Sequence, residues 1–355
     1  MGRRIVRITF WCLLSAGSVF AQSNKQKAEM LQQAVNKYLY ERKTGLYIQT
    51  SDRTKNHNPH ADLWGLCGLI QATNEMERIH PGKTYMAPVV GAINQYYDAI
   101  PPAPGYASYV VKERREDRYY DDNQWIGIAY LDAYTRTRKK WYLHKGEEIY
   151  RFMMTGYDTV SGGGLYWKER DITTKNTCSN GPAILLALQL YDAVHKQTYL
   201  DTALLLYNWV NRYLRDEDGV YWDAIKPAEN NRIDSAAYTY NAGVMLEANV
   251  KLYRITKHTQ YLKEARHIAE GSYRRFFRNG RFPSSYWFNA VLLRGYEALY
   301  KTDNNPKYIR AMQEYADKVW EQDRNSSSNL LGNRPEKELL GQAGMMEIYA
   351  RLAGI

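Results

Sequence analysis

The chain has 355 residues, 45% of them hydrophobic, with 32 tyrosines, 9 tryptophans, 3 cysteines and a formal net charge of +10. That length buries a core without staples, and the cysteines are too few for a disulfide scaffold. The positive charge is dispersed over predicted helix surfaces, without the basic stripe that nucleic acid requires; it reads as a solvated surface, or more sharply as attraction to phosphorylated glycans or an anionic envelope.

The first predicted element is an export signal over residues 1–21: Arg3, Arg4 and Arg7, then an apolar run from Ile8 to Val19, then the small-residue cleavage site Val19-Phe20-Ala21. A catalytic domain over 22–355 follows, with a charge of about +7 once those three arginines are gone. The apolar run is too short to span a bilayer, and Cys12 lacks the small residues that should precede a lipidated cysteine. Neither a membrane anchor nor a lipid anchor is therefore predicted, and the product is exported, either periplasmic or secreted.

A repeat then organises the chain. Apolar, weakly charged helical patterns begin near Asp62-Leu63-Trp64, Asn123-Gln124-Trp125, Asn180-Gly181-Pro182, Asn241-Ala242-Gly243, Asn289-Ala290-Val291 and Gly341-Gln342-Ala343. Each of the first five is followed, after a short turn, by a more charged amphipathic helix, and Ala28 to Glu41 supplies a sixth. Apolar helices alternating with amphipathic ones predict an inner ring wrapped by an outer ring, an all-α, single-domain (α/α)6 barrel. Cys67 falls on the first apolar pattern as a core residue, and export would permit a bridge from it to Cys178.

The connections are unequal. Turns from inner to outer helices are short, such as Val194-His195-Lys196-Gln197, whereas the returns are long: Gly45 to Ala61, Ile100 to Tyr120, Gly156 to Ser179, Asp216 to Tyr240 and Asn279 to Phe288. Long loops on a rigid scaffold carry function, so the active face lies at the N-termini of the inner helices. These loops repeat an aromatic device, Gly45-Leu46-Tyr47, Gly164-Leu165-Tyr166-Trp167, Gly219-Val220-Tyr221-Trp222 and Ser285-Tyr286-Trp287. If extended, each Tyr-Trp pair turns one ring toward a cleft; Trp167 and Trp222 are candidate sugar platforms, and sealing of the barrel rim is the structural alternative.

On that face, Asp121 and Asp122 sit in Tyr119-Tyr120-Asp121-Asp122-Asn123-Gln124-Trp125, where the second inner helix begins. Acidic residues at a helix start can be caps. One cap needs one carboxylate, however, and here two are surrounded by Tyr119, Tyr120 and Trp125. Neighbouring carboxylates in low dielectric push their pKa values apart, leaving an acid and an anion, which is the chemistry of glycoside hydrolysis. Adjacent residues suit the separation of about 5 Å that a retaining mechanism needs better than the wider gap of an inverting one. Asn123, Gln124, Asn180, Tyr240 and Asn241 start inner helices and can reach sugar hydroxyls, with capping as the alternative for the asparagines; Trp64 is either barrel core or a stacking ring, and Asp62 a cap or a third carboxylate.

Tyr120-Asp121-Asp122-Asn123-Gln124-Trp125, Gly163-Gly164-Leu165-Tyr166-Trp167, Ser179-Asn180-Gly181-Pro182 and Tyr238-Thr239-Tyr240-Asn241 together resemble glycoside hydrolase family 76, the endo-α-1,6-mannanases. The resemblance covers nearly all of the chain after residue 21. It implies an (α/α)6 fold and retaining, endo-acting cleavage of α-1,6-mannan backbones, with Asp121 as nucleophile and Asp122 as general acid/base. A transglycosylase using the same intermediate and a non-catalytic α-mannan-binding protein are the alternatives.

Sugar epimerases and some polysaccharide lyases also use α/α barrels, relying on histidine, tyrosine or basic residues. Here His195 and His258 fall in the short turns, at the wrong end, and His57 and His60 precede the first inner helix. No His/Cys/Asp cluster suggests a metal site, and no cofactor is expected.

Overall fold

Helices that are apolar all round must be enclosed by protein, whereas helices with one apolar stripe can face water. The computed structural model, which describes residues 22–283 and 285–355, alternates the two kinds. In chain order the helices are α1 (Asn24–Tyr38), α2 (Leu63–Ile79), α3 (Met86–Ile93), α4 (Tyr120–Thr137), α5 (Lys140–Met154), α6 (Thr177–Val194), α7 (Gln197–Tyr213), α8 (Thr239–Thr256), α9 (Thr259–Phe276), α10 (Tyr286–Asp303), α11 (Lys307–Gln322) and α12 (Leu339–Leu352). The even-numbered helices pack side by side, and α12 against α2 closes the ring. The odd-numbered helices lie outside it. In α6 every residue from Thr177 to Leu190 is buried. In α11 only the stripe Tyr308, Ala311, Met312, Tyr315, Ala316, Val319 and Trp320 is buried. This is the (α/α)6 toroid expected from the repeat. The segment read as an export signal lies outside the described residues.

Two local expectations need correction. The first outer helix, α3, is a short apolar segment rather than a charged amphipathic one. Tyr286 and Trp287 open α10 instead of lying in an extended loop.

Four inner helices, α4, α6, α8 and α10, end on a left-handed residue, Arg138, His195, Lys257 and Asn304 respectively. Each turns the chain into the next outer helix within a few residues, which keeps that end of the barrel flat. Inside the same end lies a buried charge network. Arg294 pairs with Asp132 and Glu247, and Arg351 with Glu75, Glu297 and Glu347. Each buried guanidinium neutralises a carboxylate of a neighbouring inner helix, and Arg294 also reaches Asp132 of α4 across the ring while Arg351 also pairs with Glu347 of its own helix.

At the opposite end the long loops carry short antiparallel ladders. These are β1 (Tyr40–Glu41) with β2 (Leu46–Tyr47), β3 (Tyr97–Asp98) with β4 (Gly105–Tyr106), and a sheet of β5 (Lys175–Asn176), β6 (Trp222–Lys226) and β7 (Arg232–Ala237). Of these ladders the three-stranded sheet reaches the cavity at this end, through Asn176 of β5 and Asp223 of β6. No described helix is long and apolar enough to cross a membrane.

Candidate active site

The second residues of the six inner helices are Trp64, Asp121, Cys178, Tyr240, Trp287 and Leu340. All but Leu340 line a cavity of about 740 Å³ at the long-loop end of the barrel. The repeat therefore places one side chain per helix at the same depth, and the chemistry differs only in what each copy carries. Trp125, buried beneath them, meets Trp287 edge to face at 5.3 Å, and Trp287 meets Trp64 likewise at 6.3 Å. Phe288 and Tyr240 pack at 4.1 Å and continue this aromatic wall. Asp121, Asp122, Asp62, Glu116, Asn176 and Asp223 supply the polar part of the lining.

Asp121 and Asp122 occupy the first turn of α4, where backbone N–H groups are free and the helix dipole favours negative charge. Asp121 is well served by donors. The Asp122 N–H reaches its Oδ1 at 3.0 Å and the Trp167 indole N–H its Oδ2 at 3.1 Å. Burial raises its pKa to about 6, and these donors oppose the rise. The Asp122 carboxyl accepts no hydrogen bond from any described residue. Burial and then the charge of Asp121, with Asp62 adding a little, push it well above the usual carboxylate range. The two carboxyls are thus unequal by environment, one a supported anion and the other a retained acid.

A strap of backbone holds Trp167 in place. Tyr120 N donates to Trp167 O at 3.0 Å and Glu169 N to Arg118 O at 3.0 Å, joining the loop before α4 to the loop before α6. Arg118, fully buried, clamps Glu169 through two bonds and donates to the Ala103 carbonyl. Upstream, Gly164 takes φ +82° with the Trp209 indole against its backbone; a Cβ there would lie 2.7 Å from a ring carbon, so only glycine lets the strap approach.

Of the residues expected at the site, Asp121, Asp122, Trp64, Trp125, Trp167 and Tyr240 line the cavity. Trp64 is 43% exposed and belongs to the wall rather than the core. Asn123 and Asn180 do not line it. Both are fully buried at the fourth helical position, one turn inside the helix, and fasten the preceding loop. Asn123 exchanges bonds with the backbone of Tyr106, and Asn180 with that of Leu165. Gln342 does the same to Leu331 at the equivalent position of α12. Their amides are consumed by backbone, which leaves nothing for a sugar and makes neither of them a cap. Gln124 and Asn241 are fully buried behind the wall. Tyr120 packs on Phe152, with its hydroxyl against Thr155.

Trp222 also falls away from the cavity, and Asp223 takes its place. The β6–β7 ladder is irregular between Trp222 and Ala224, and such a bulge re-aims the residue within it. Asp223 is raised to about 6 by burial and the nearby Asp234, against a bond from Asn176. Sequence reasoning missed Asp223, because period-two alternation aims the wrong residue at the cleft. It also missed Cys178, whose equivalence to Asp121 appears only when the helix starts are aligned.

His60 is buried with its ring nitrogens 3.2 Å from Glu41 and 2.9 Å from Glu113, and neither it nor His57 lines the cavity. Cys67 and Cys178 are both free, and the Cys67 thiol donates to the Asp122 carbonyl at 3.2 Å. Among the described residues no cluster of His, Cys, Asp or Glu is arranged as metal ligands.

A profile of glycosyl hydrolase family 76 matches residues 23–345. The chain is 29% identical to the mannan endo-1,6-alpha-mannosidase DCW1 of Saccharomyces cerevisiae over 151 residues, 38% of this chain and 34% of that protein. It is 28% identical to the DCW1 of Candida glabrata over 174 residues, 45% of this chain and 39% of that protein. The aligned stretches thus span well under half the length of these curated relatives. Among solved structures, a family 76 glycoside hydrolase from a bovine Bacteroides thetaiotaomicron strain superposes with a TM-score of 0.86 at 27% identity, covering 94% of this chain and 78% of that one.

Proposed function

The chain belongs to glycosyl hydrolase family 76, and from that premise we propose that it is an endo-acting α-1,6-mannanase that retains anomeric configuration. The observation that carries the proposal is the inequality of two adjacent carboxyls in one aromatic cavity. Two donors converge on Asp121, whereas Asp122 faces that anion with no donor of its own. The names of the curated relatives support mannan and the α-1,6 linkage as the target.

In this reading ionised Asp121 attacks the anomeric carbon while protonated Asp122 gives its proton to the departing oxygen. Asp122, now a carboxylate, then takes a proton from the water that releases the mannosyl-enzyme. Its high proton affinity suits the first step, and loss of the Asp121 charge on glycosylation lowers that affinity for the second. The aromatic wall from Trp64 to Tyr240 offers apolar ring faces to the sugar, and Asp62, Glu116 and Asp223 offer acceptors for hydroxyl groups. The basic and apolar run within residues 1–21 supports export to where such polysaccharides are met.

Incubation with linear α-1,6-mannan tests the proposal. New reducing ends and a falling product size are expected from the wild type, and loss of nearly all turnover from Asp121→Asn and Asp122→Asn. Tight binding without new reducing ends would identify a binder, and products longer than the substrate a transglycosylase.

A further inference from the structure

At the closed end of the barrel three successive corners from inner to outer helix are only two residues long, Arg138-Lys139, His195-Lys196 and Lys257-His258. The chain spreads its cations over many elements, and the fold gathers a set of them here. Arg138, His195 and Lys257 line a hollow of about 700 Å³ in this face, together with Lys251 and Arg254. Asp132 and Asp192 also line it, but each is already engaged, Asp132 by Arg294 and Asp192 by Lys251 at 3.7 Å. Arg138, Lys139, Lys140, Arg254 and Lys257 are exposed and pair with no carboxylate among the described residues. We propose that this face docks the protein reversibly on an anionic lipid bilayer, with the cavity at the far end of the barrel left open to solvent.

The helix dipole alone does not account for these cations. One basic residue in the last turn complements a helix C-terminus, and a left-handed residue just past it is ordinarily Gly or Asn. Here Arg138, His195 and Lys257 hold that position at φ 59°, 54° and 62°. The fourth equivalent corner carries Asn304, preceded by Asp303, and it does not line the hollow. Basic side chains therefore occupy the strained position only where the corners surround the hollow.

Shape and chemistry then select the partner. Short corners leave a flat face, which fits a planar surface. Trp141, the second residue of α5, directly follows Arg138-Lys139-Lys140; it is 42% exposed and braced on Tyr130 at 5.2 Å. An exposed indole beside a basic run suits a bilayer interface, where the ring sits among headgroups and the cations meet lipid phosphates. The hollow seats a headgroup phosphate between Arg138, Arg254 and Lys257.

Co-sedimentation of the purified protein with vesicles tests this, comparing phosphatidylglycerol and phosphatidylcholine in equal parts with phosphatidylcholine alone. Binding should be at least about tenfold tighter to the anionic vesicles and should fall at least about tenfold as NaCl rises from about 50 to about 500 mM. The combined variant Arg138→Asn, Arg254→Gln, Lys257→Asn keeps the turns, as Asn304 does, and should bind at least about tenfold more weakly with unchanged melting and mannan turnover. Quenching of tryptophan fluorescence by brominated lipid gives the orientation. It should diminish in Trp141→Phe and persist in Trp167→Phe. Equal binding to the two kinds of vesicle, a variant that binds like the wild type, or quenching lost in Trp167→Phe instead would overturn the proposal. Salt-sensitive retention on phosphate-bearing mannan without binding to vesicles would also overturn it, in favour of a phosphorylated glycan.

Discussion

The indole N–H of Trp167 donates to Oδ2 of Asp121 across 3.1 Å, so a ring at the mouth of the cavity is tied to the carboxylate assigned as nucleophile. Trp167 lies 39% exposed, braced edge-on against Tyr119 at 5.0 Å. Its ring is free to meet a sugar on one face while its nitrogen holds the anion. Trp167→Phe keeps the ring and removes the donor. A hydrogen bond to a charged group contributes about 1.5–3 kcal/mol, so kcat/KM should fall roughly 10- to 100-fold. The acid limb should move to higher pH, because the unsupported carboxylate holds its proton longer. A pH series of kcat/KM checks both.

Asp122 costs stability at neutral pH. Its folded pKa lies well above the unfolded value of 3.8. Below 3.8 both states are protonated and the folded state bears no penalty. As pH rises past 3.8 the unfolded chain ionises while the folded one resists, so stability is lost progressively until the folded group also ionises. Asp122→Asn should therefore be more stable than the wild type at pH 7 while losing turnover. Thermal unfolding at pH 7 and near pH 3.5 measures this, and the gain should vanish at the lower pH.

Asn180 is a fastener rather than a sugar contact. Its amide accepts from Leu165 N and donates to the Leu165 and Asn176 carbonyls. Asn180→Ala strands buried backbone groups of Leu165 and should cost about 2–4 kcal/mol. KM for mannan oligosaccharides should stay within about twofold. A raised KM with unchanged melting would instead indicate a sugar contact.

The charge network at the closed end predicts asymmetric effects. Arg351 bonds Glu75, Glu297 and Glu347; Arg351→Met leaves Glu75 and Glu297 with Arg78 and Lys301 but takes the sole cation from buried Glu347, and should cost about 3 kcal/mol. Glu347 is already raised by burial and has one oxygen without a partner. Glu347→Gln should change stability by less than about 1 kcal/mol. Denaturant midpoints of the two variants make the comparison.

The barrel was legible because its two rings differ in how much of each helix is apolar, and the active face because unequal loop lengths survive in sequence. The helix starts were less legible. Asn123, Asn180 and Asn241 resemble caps, yet the caps of those helices are Tyr119, Asn176 and Tyr238, none of which makes a side-chain capping bond. Loop fastening by an amide one turn inside the helix replaces capping, and this displaced the predicted starts by a few residues. That offset hid the ring of equivalent second positions, and Cys178 with it. Asp223 was hidden by a bulge, a feature of pairing that alternation along one strand does not encode.

The central claim is that Asp121 attacks the anomeric carbon while Asp122 protonates the departing oxygen. Proton NMR of the first anomer formed from linear α-1,6-mannan, recorded before mutarotation, tests it most directly. The α-anomer appearing first is the predicted result. A β-anomer appearing first would mean that water, not Asp121, attacks the sugar, and would contradict the account.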